Sequence, residues 1–480
     1  MSSTPKGLTN TPIYKNPTLI SIAEGNGSFN NIHLAALVLG VPWFVKRMLP
    51  LVNRGGFKTY LFLVLVLGVP VTIAYWTLMS MYGPRKNEKV ALPGKDIEEY
   101  ITIHDPELKA KYHGKEKIPM QIMHDAYFDG KIDFNGDVLD ILEARHDWAK
   151  FVMTPELFKY VLFKMIPEII VHSQGQDEEQ VRDHYDRGDD FYEWFLGPRM
   201  VYTSGIATSL TEPQSLEQLQ DNKLTVVCEK LDLQPDDHLL DIGCGWGTLS
   251  AFAHKNYGCK VTGVTLAKKQ TQFGNDRIVS NGGDPERAKI VCCDYRDIPG
   301  GPATYSKIVS LEMAEHVGVR RYDTFLRQVY DLLDDDGVFV FQVAGLRNCW
   351  QYEDLIWGLF MNKYIFPGAD ASASLGWVTT HLERCGWEIK SVDVIGVHYS
   401  ATIWHWYNNW VSNKEKVVEK YGDRWYRIWV FFLGWSVIAA RQGTSAAFQF
   451  TLHKNLNAYP RILGLKNHKG IHVTPERTIE

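Results

Sequence analysis

The chain has 480 residues, of which 45% are hydrophobic and 22% are charged, so it can form a large domain with additional elements and is too apolar for a disordered chain. Lysine and arginine total 51 against 56 aspartate and glutamate residues, and the net charge of -5 excludes a general basic surface for nucleic acid. The mean hydropathy of -0.20 resembles that of a soluble protein, but it hides two strongly apolar segments.

Both apolar segments follow a polar tail at residues 1–30. Residues 31–50 are mostly apolar, and residues 60–81 contain no charged side chain. Crossing the roughly 30 Å hydrocarbon layer needs about 20 such residues, a length that the second segment reaches by itself. We predict that the second is a transmembrane helix and that the first either spans the membrane or lies in it at a tilt. A cleaved signal peptide is not expected, because the polar tail precedes both segments.

Basic residues near the ends of these segments are nearly balanced and do not set an orientation. The seven cysteines all lie between Cys228 and Cys385, are odd in number and show no paired spacing. This pattern is typical of a reducing compartment. We therefore predict that the bulk of the chain faces the cytosol. The protein is expected to be a multi-pass protein of the endoplasmic reticulum membrane.

The rest of the chain is predicted to comprise a linker with a helical accessory region at residues 83–180, one domain at residues 181–456 and a tail at residues 457–480. An apolar stretch at residues 428–440 is too short to span a membrane and is predicted to be a core or lid helix. Within the domain, short apolar runs alternate with helical stretches, at residues 239–242, 260–264, 289–292, 307–311 and 338–343. This alternation predicts an α/β fold with a mostly parallel sheet.

The strongest local motif is HLLDIGCGWGT, an apolar strand that runs into a glycine turn and then a helix. Gly243 and Gly245 let the backbone approach a ligand, and the helix start offers unpaired N–H groups. A nicotinamide dinucleotide site would need a glycine where Thr248 stands and an acid after the second strand, where Thr265 and Gln270 are the first polar groups. The pattern D-x-G-x-G-x-G instead indicates an S-adenosylmethionine-dependent methyltransferase. A purely structural tight turn is the alternative.

Further motifs accompany DIGCGWG and VTGVTLAKKQ: HYDRGDDFYEWFLGPRMVYTS at residues 184–204, CDYRDI at 293–298, EHVGVRRYDTF at 315–325 and NKYIFPG at 362–368. Together, over about residues 126–454, they resemble the cyclopropane-fatty-acyl-phospholipid synthase and mycolic acid methyltransferase family. The resemblance implies the Rossmann-like fold of class I S-adenosylmethionine-dependent methyltransferases. With two apolar segments in front, the chain is most similar to the fungal sphingolipid C9-methyltransferases of this family. This implies a ceramide-type membrane lipid as substrate, the bilayer as partner, and methylation of carbon 9 of the sphingoid base at an existing double bond.

The resemblance also implies the site for S-adenosylmethionine residue by residue. Taken alone, Thr265 could cap the next helix and Asp294 could be a turn residue. Their order and spacing together favour a cofactor site. The implied residues come from a clamp segment before the sheet, the glycine turn, the end of the second strand and the turn after the third: Tyr202, Thr203, Asp241, Gly243, Gly245, Gly247, Thr265, Leu266, Gln270, Asp294, Tyr295 and Arg296.

Methylation of a double bond sets the chemistry that the site must perform. An alkene is a weak nucleophile, so it needs the electrophilic sulfonium methyl held in line, and its attack leaves a carbocation. The cation requires a dry pocket, π faces and a base. Loss of a proton from the new methyl forms a cyclopropane, whereas loss from the carbon that received the methyl forms a branched alkene. Six of the fifteen tryptophans lie between Trp404 and Trp435, where they form either core or such a pocket wall.

The family resemblance implies bicarbonate as the base, held by a cysteine, a glutamate, a histidine and a tyrosine. This chain keeps Glu315 and Tyr399 but has Ser204 at the cysteine position and Gln342 at the histidine position. These four are the candidate catalytic residues. The two changes leave open whether bicarbonate or Glu315 itself accepts the proton. His316 is predicted to be structural.

A metal site is not expected, since the sixteen histidines are dispersed and no H-E-x-x-H spacing occurs. Two other functions remain open beside the sphingolipid methyltransferase. One is a cyclopropane synthase acting on unsaturated phospholipid acyl chains, and the other is a catalytically inactive lipid-binding membrane protein. The intact glycine turn favours an enzyme. No oligomeric state is predicted.

Overall fold

The computed structural model describes residues 30–82, 92–165, 188–209, 212–348, 352–367, 369 and 371–457. Outside these described residues lie both predicted tails, apart from Asn30 and Asn457, and parts of the predicted linker and accessory region, at residues 83–91 and 166–180. Residues 181–187, which include the start of the motif at 184–204, also lie outside them. The chain divides into two compact units that interleave along the sequence. The first comprises Met1–Asn222, Ala344–Leu375 and Ile395–Ala447, and the second comprises Lys223–Val343, Gly376–Val394 and Phe448–Glu480.

A helical hairpin opens the first unit. Helix α1 covers Asn31–Met48, α2 covers Pro50–Asn53 and α3 covers Phe57–Tyr82. The side chain of Asn30 caps α1, because its Oδ1 accepts hydrogen bonds from the backbone N–H groups of residues 32 and 33. The Tyr60 hydroxyl donates to the carbonyl of residue 39, at 3.0 Å, and so joins α3 to α1.

One helix among the described residues is long and apolar enough to cross a membrane, namely Phe57–Met79, and only 11% of its most apolar window is buried. This helix coincides with the second predicted segment. The first predicted segment forms α1 and α2 but does not reach this standard of length and hydropathy. The large apolar side chains exposed on the hairpin are Ile32, Leu37, Leu39, Trp43, Phe44, Met48, Leu49, Phe57, Leu61, Phe62, Leu65, Val66, Val69 and Leu78.

The accessory region contains short strands as well as the predicted helices. Strands β1 (Ile101–Ile103) and β3 (Ile132–Phe134) pair antiparallel, while β2 (Ile118–Pro119) and β4 (Ala149–Lys150) pair parallel. Strands of two or three residues are too short to produce a recognisable alternation in the sequence. The helices of this region are α4 (Pro106–Lys111), α5 (Met120–Phe128), α6 (Val138–Glu143), α7 (Arg145–Trp148) and α8 (Pro155–Tyr160), and a π-helical turn follows at Val161–Met165.

Ten further helices complete the described chain. They are α9 (Asp189–Leu196), α10 (Leu216–Leu231), α11 (Thr248–Tyr257), α12 (Lys268–Ser280), α13 (Tyr322–Leu332), α14 (Tyr352–Phe360), α15 (Leu375–Arg384), α16 (Gly396–Ser412), α17 (Lys414–Tyr421) and α18 (Asp423–Arg441). A second π-helical turn, Met361–Ile365, follows α14. Every residue from 428 to 440 in α18 is buried, which confirms the prediction of a core helix there.

The second unit is built around a seven-stranded sheet. Its strand order is β10-β11-β9-β8-β5-β6-β7, and β5 to β9 run parallel while β10 pairs antiparallel with β11. The five predicted apolar runs are thus confirmed as strands, and two antiparallel strands were not predicted. Strand bounds are β5 (His238–Ile242), β6 (Lys260–Thr265), β7 (Ala288–Cys292), β8 (Tyr305–Leu311), β9 (Leu333–Leu346), β10 (Trp387–Val394) and β11 (Ser445–Lys454).

The chain order of the parallel strands reverses at β5, which lies between β6 and β8. In open sheets of this kind, ligands bind beyond the carboxyl ends of the strands at such a reversal. The glycine turn that follows β5 therefore lies where the topology favours a ligand.

Candidate active site

The glycine turn connects β5 to α11 with backbone angles that favour glycine. Gly243, Gly245 and Gly247 have φ values of 78°, 53° and 71°. A Cβ atom on Gly247 would lie 2.8 Å from the Cα of Gly274, so this glycine lets the turn pack against α12. A Cβ atom on Gly245 would meet no atom within 4 Å. The backbone at Gly245 therefore faces open space, as the approach of a cofactor requires.

Gly243 brings the loop after β8 against the turn. A Cβ atom on Gly243 would lie 2.6 Å from the Cγ of Met313. Beneath the turn, Asp241 is buried and accepts a hydrogen bond from the Ser250 hydroxyl, at 2.8 Å. Burial raises the pKa of Asp241 to about 6, although the Ser250 hydrogen bond and the charge of Lys223 oppose this rise.

The predicted ribose residues lie together at the end of β6. The Thr265 hydroxyl donates to the Oε1 atom of Gln270, at 2.7 Å, and both side chains are buried. Leu266 is half-buried beside them, and its carbonyl accepts a hydrogen bond from the Cys292 thiol, at 3.5 Å, at the end of β7. The structure thus brings this predicted group together at one edge of the sheet.

The predicted adenine residues form a compact turn after β7. Asp294 accepts hydrogen bonds from the Arg296 guanidinium, at 2.5 and 2.6 Å, and from its backbone N–H. Burial alone would raise the pKa of Asp294, but these hydrogen bonds outweigh it and hold the pKa below its usual range. The Arg296 guanidinium lies 5.0 Å from the centroid of the Tyr295 ring, which packs edge-on against Phe325.

Glu315 lies in a short 3-10 turn, Ala314–His316, directly after β8, and only 7% of its surface is exposed. Burial and the charge of Glu315 both raise the pKa of Tyr322. Burial lowers the pKa of His316 to about 4, which keeps that imidazole neutral at neutral pH.

Gln342 belongs to a chain of hydrogen bonds that runs through the second unit. Its Nε2 donates to the Oε1 of Glu312, at 2.6 Å, and its Oε1 accepts from the Nε2 of Gln449, at 2.8 Å. The Lys230 ammonium in turn donates to the Oε1 of Gln449, at 2.6 Å. A lysine at one end can only donate and a carboxylate at the other can only accept, so both amide orientations are fixed.

The clamp segment lies in the first unit, where aromatic rings surround Tyr202. Its ring centroid lies 5.6 Å from that of Trp406 and 6.2 Å from that of Phe366, which belongs to the NKYIFPG motif. Tyr399 packs edge-on against Trp406, with the two ring centroids 5.8 Å apart. Two predicted site residues, Tyr202 and Tyr399, are therefore joined by a tryptophan. We call these four rings the aromatic wall.

Ser204 is buried in the same unit and donates to the carbonyl of Gly205, at 3.1 Å. The Gly205 N–H donates to the Thr402 hydroxyl, at 2.9 Å, and this bond fixes the segment to α16. The hydroxyl of Thr203 is buried and has no hydrogen-bond partner among the described residues. Such an orphaned group is available to a bound ligand.

Sequence analysis missed three residues that the structure places at these two groups. Glu312 follows β8 with a φ of 57°, and Lys223 is fully buried near it. Trp406 joins the two tyrosines of the aromatic wall. Glu312 stands three residues before Glu315, just ahead of the motif quoted at residues 315–325, and this proximity is a usable signal. Nothing in the local sequence distinguishes Lys223. The described residues contain no group of three or more histidine, cysteine, aspartate or glutamate side chains that could hold a metal ion.

The sheet with a glycine turn at its reversal point defines a class I S-adenosylmethionine-dependent methyltransferase fold. Residues 172–450 match the family described as mycolic acid cyclopropane synthetase, and the chain belongs to this family. The sphingolipid C9-methyltransferase of Komagataella phaffii is 55% identical over 97% of this chain and 95% of its own length. That of Candida albicans is 54% identical over 96% of this chain and 91% of its own length.

Solved structures support the same assignment. The cyclopropane synthase MmaA2 from Mycobacterium tuberculosis is 25% identical, with a TM-score of 0.54, and the alignment covers 58% of this chain and 98% of that one. The cyclopropane synthase CmaA1, solved with S-adenosylhomocysteine, is 26% identical, with the same TM-score and coverage. The protein is therefore an S-adenosylmethionine-dependent methyltransferase, and the cyclopropane synthases are its more distant relatives. The open space at Gly245, within the second unit, fits this cofactor.

Proposed function

We propose that the protein is a sphingolipid C9-methyltransferase, which adds a methyl group to carbon 9 of the unsaturated sphingoid base of a ceramide-type lipid. The observation that carries this proposal is the similarity to six relatives of that name, which are 51–55% identical over 96–97% of this chain. The similarity includes the N-terminal hairpin, which the match to the broader family does not reach.

S-adenosylmethionine supplies an electrophilic methyl group when bound. The π electrons of the substrate double bond would form the new bond to this methyl at carbon 9 while the bond between the methyl and the sulfonium sulfur breaks and its electrons stay on sulfur. This would leave a cation on the other carbon of the former double bond. A base then removes the proton from carbon 9, and the electrons of that C–H bond restore the double bond. The product is a methyl-branched alkene, and no ring forms.

The aromatic wall supports this chemistry in the first unit. Tyr202, Phe366, Tyr399 and Trp406 present π faces, which stabilise a neighbouring cation without acting as nucleophiles toward it. Trp406 is almost fully buried, so its ring is held in place by the surrounding helices. A rigid apolar wall also excludes water, which would otherwise trap the cation as an alcohol.

Glu315 is our proposed base. It lies at the carboxyl end of β8 and is buried, so its carboxylate is shielded from bulk water, as a base that acts on a carbocation must be. The two positions that depart from the family pattern, Ser204 and Gln342, favour Glu315 as the base over a bound bicarbonate ion. Gln342 donates its amide hydrogen to Glu312, and Ser204 donates to a backbone carbonyl, so both side chains have partners within the protein. Tyr399 is proposed to orient the substrate or the proton acceptor.

The hairpin is proposed to lie in the membrane as a multi-pass anchor of the endoplasmic reticulum, with the catalytic part in the cytosol. The exposed apolar side chains of α1 and α3 support this, since a hairpin in water would bury them. The six cysteines among the described residues are all free thiols, which fits a reducing compartment.

Expression of the protein in yeast cells that lack sphingoid-base methylation, but that desaturate the base, tests the proposal. Lipid mass spectrometry should show ceramides heavier by one CH2 unit, and fragmentation should place the increment at carbon 9 as a branch. A Gly245→Val variant, produced at the same level, is the matched control and should yield none. The proposal is wrong if the increment appears on phospholipid acyl chains while the sphingoid base stays unmodified.

A further inference from the structure

Glu312 adopts a backbone conformation that glutamate rarely tolerates. Its φ of 57° lies in the left-handed region, which costs a residue with a Cβ atom about 1 to 2 kcal/mol. Its backbone N–H donates to the carbonyl of Gln342, at 2.8 Å, which fixes the loop after β8. Strain of this kind persists where the surrounding structure holds the residue, and it concentrates at ligand sites.

Hydrogen bonds from buried side chains also fix the position of the Glu312 carboxylate. Gln342 is completely buried and donates to the Glu312 carboxylate, while Gln449, also completely buried, fixes Gln342. Glu312 itself is only half-buried. The carboxylate is therefore immobilised by buried amides and remains partly accessible, as a recognition group should be.

The position of Glu312 relates it to the glycine turn. The next residue, Met313, lies against Gly243, and the Cβ that Gly243 lacks would clash with the Met313 side chain. β8 and β5 are neighbouring parallel strands, so the loop after β8 and the turn after β5 emerge at the same edge of the sheet. The Glu312 carboxylate thus belongs to the edge at which the cofactor binds.

The local charge favours a cation as the ligand. Lys223 is buried, and burial lowers its pKa to about 8, against the opposing charges of Glu312 and Asp241. Two carboxylates therefore lie near one buried lysine. An ammonium group is a ligand of complementary charge to these carboxylates. Gln342 donates a hydrogen bond to the Glu312 carboxylate and Lys223 lies near it, so the carboxylate is held in position, as the binding of a cation requires.

We propose that the Glu312 carboxylate, held by Gln342 in the strained loop after β8, binds the α-ammonium group of the methionine part of S-adenosylmethionine. The role of Gln342 is then to position Glu312. This inference rests on the methyltransferase fold and cofactor and is independent of the lipid substrate and of Glu315 as the base.

Three ligands separate this role from others when their binding to the purified protein is measured by calorimetry. S-adenosylhomocysteine carries the ammonium group but no sulfonium charge, and 5′-methylthioadenosine lacks the whole amino-acid part. The Glu312→Gln variant keeps the side-chain shape and an acceptor for Gln342. We expect it to bind S-adenosylhomocysteine at least tenfold more weakly and methylthioadenosine within twofold of the unmodified protein. S-adenosylmethionine should lose affinity in parallel with S-adenosylhomocysteine.

Two further variants control for folding and charge. Glu312→Gly removes the backbone strain but also leaves the buried Gln342 amide without its carboxylate acceptor, so its unfolding midpoint should stay close to that of the unmodified protein while it shows the same selective loss of affinity. Glu286→Gln removes an exposed carboxylate before β7 and should bind all three ligands normally. Equal losses for both nucleoside ligands in Glu312→Gln would overturn the proposal, as would unchanged binding of both. Glu315→Gln should bind all three ligands normally, so a failure of Glu315 as the base is measured separately.

Discussion

A substitution at Gly245 tests whether the backbone of the glycine turn lies close to the bound cofactor. In a Gly245→Ala variant, the φ of 53° imposes a strain of about 1 to 2 kcal/mol, but the new methyl meets no protein atom within 4 Å. The protein should therefore fold with a modest loss of stability. If the cofactor occupies the open space, the methyl collides with it, and affinity for S-adenosylhomocysteine should fall at least tenfold, or about 1.4 kcal/mol.

Two other glycines provide matched controls for this experiment. Gly282 has a φ of 79° and also open space around its missing Cβ, but it follows α12 at the opposite edge of the sheet. Gly282→Ala should lose as much stability as Gly245→Ala and keep full affinity. Gly247→Ala places its methyl 2.8 Å from the Gly274 backbone, so overpacking should cost about 1 to 3 kcal/mol more. Urea unfolding and calorimetry measure both quantities. Equal affinities of the Gly245 and Gly282 variants would refute the assignment of the turn.

Four other outcomes are expected. Glu315→Gln should lower turnover by roughly 10²-fold or more, because an amide cannot accept the proton, and added bicarbonate should not restore the rate; rescue by bicarbonate would show that Glu315 only holds the ion. Ser204→Cys combined with Gln342→His should yield a trace of cyclopropane product on lipid analysis if these positions control which proton leaves, and branched alkene alone would show that they do not. Removal of residues 1–83 should release the protein from carbonate-washed membranes, and a full-length protein that already washes off would contradict the anchor. Burial lowers the pKa of His453 to about 4, so between pH 6.5 and 4 this histidine is protonated in the unfolded chain but neutral in the folded protein. The free energy of unfolding should therefore fall by up to about 1.4 kcal/mol for each pH unit of acidification in this range. His453→Gln should reduce this pH dependence in urea unfolding at pH 7 and 5, and an unchanged dependence would assign it to other groups.

The parallel part of the sheet was predictable because each strand is a continuous apolar run, as strands buried on both faces must be. Strand β10 was not predictable, because residues 387–394 mix charged and apolar side chains. It lies at the edge of the sheet, where one side of the strand stays exposed. Its antiparallel pairing with β11 joins residues about 60 positions apart. Such pairing is set by packing of the finished domain and leaves no local signal.

Some residues of the candidate site were likewise predictable from the sequence, and others were not. Gly243 and Gly245 were identified from spacing alone, because the turn needs those backbone angles within a few residues of the strand. The importance of Glu312 depends on Gln342, on Gln449 and on a lysine buried from α10, and these residues approach only when the sheet forms. A buried lysine is rare and costly, but its burial cannot be recognised in a polar helix sequence.

Gln342 is one of the two positions at which this chain departs from the pattern that the family resemblance implies. An amide at this position donates to Glu312 and accepts from Gln449, so it completes a directed series of hydrogen bonds that begins at Lys230. Each donor in such a series polarises the next, which strengthens the final bond to the carboxylate. A side chain committed in this way is not free to hold a soluble ion. We therefore propose that the residue which the family resemblance assigned to bicarbonate positions, in this protein, a carboxylate that belongs to the chain itself.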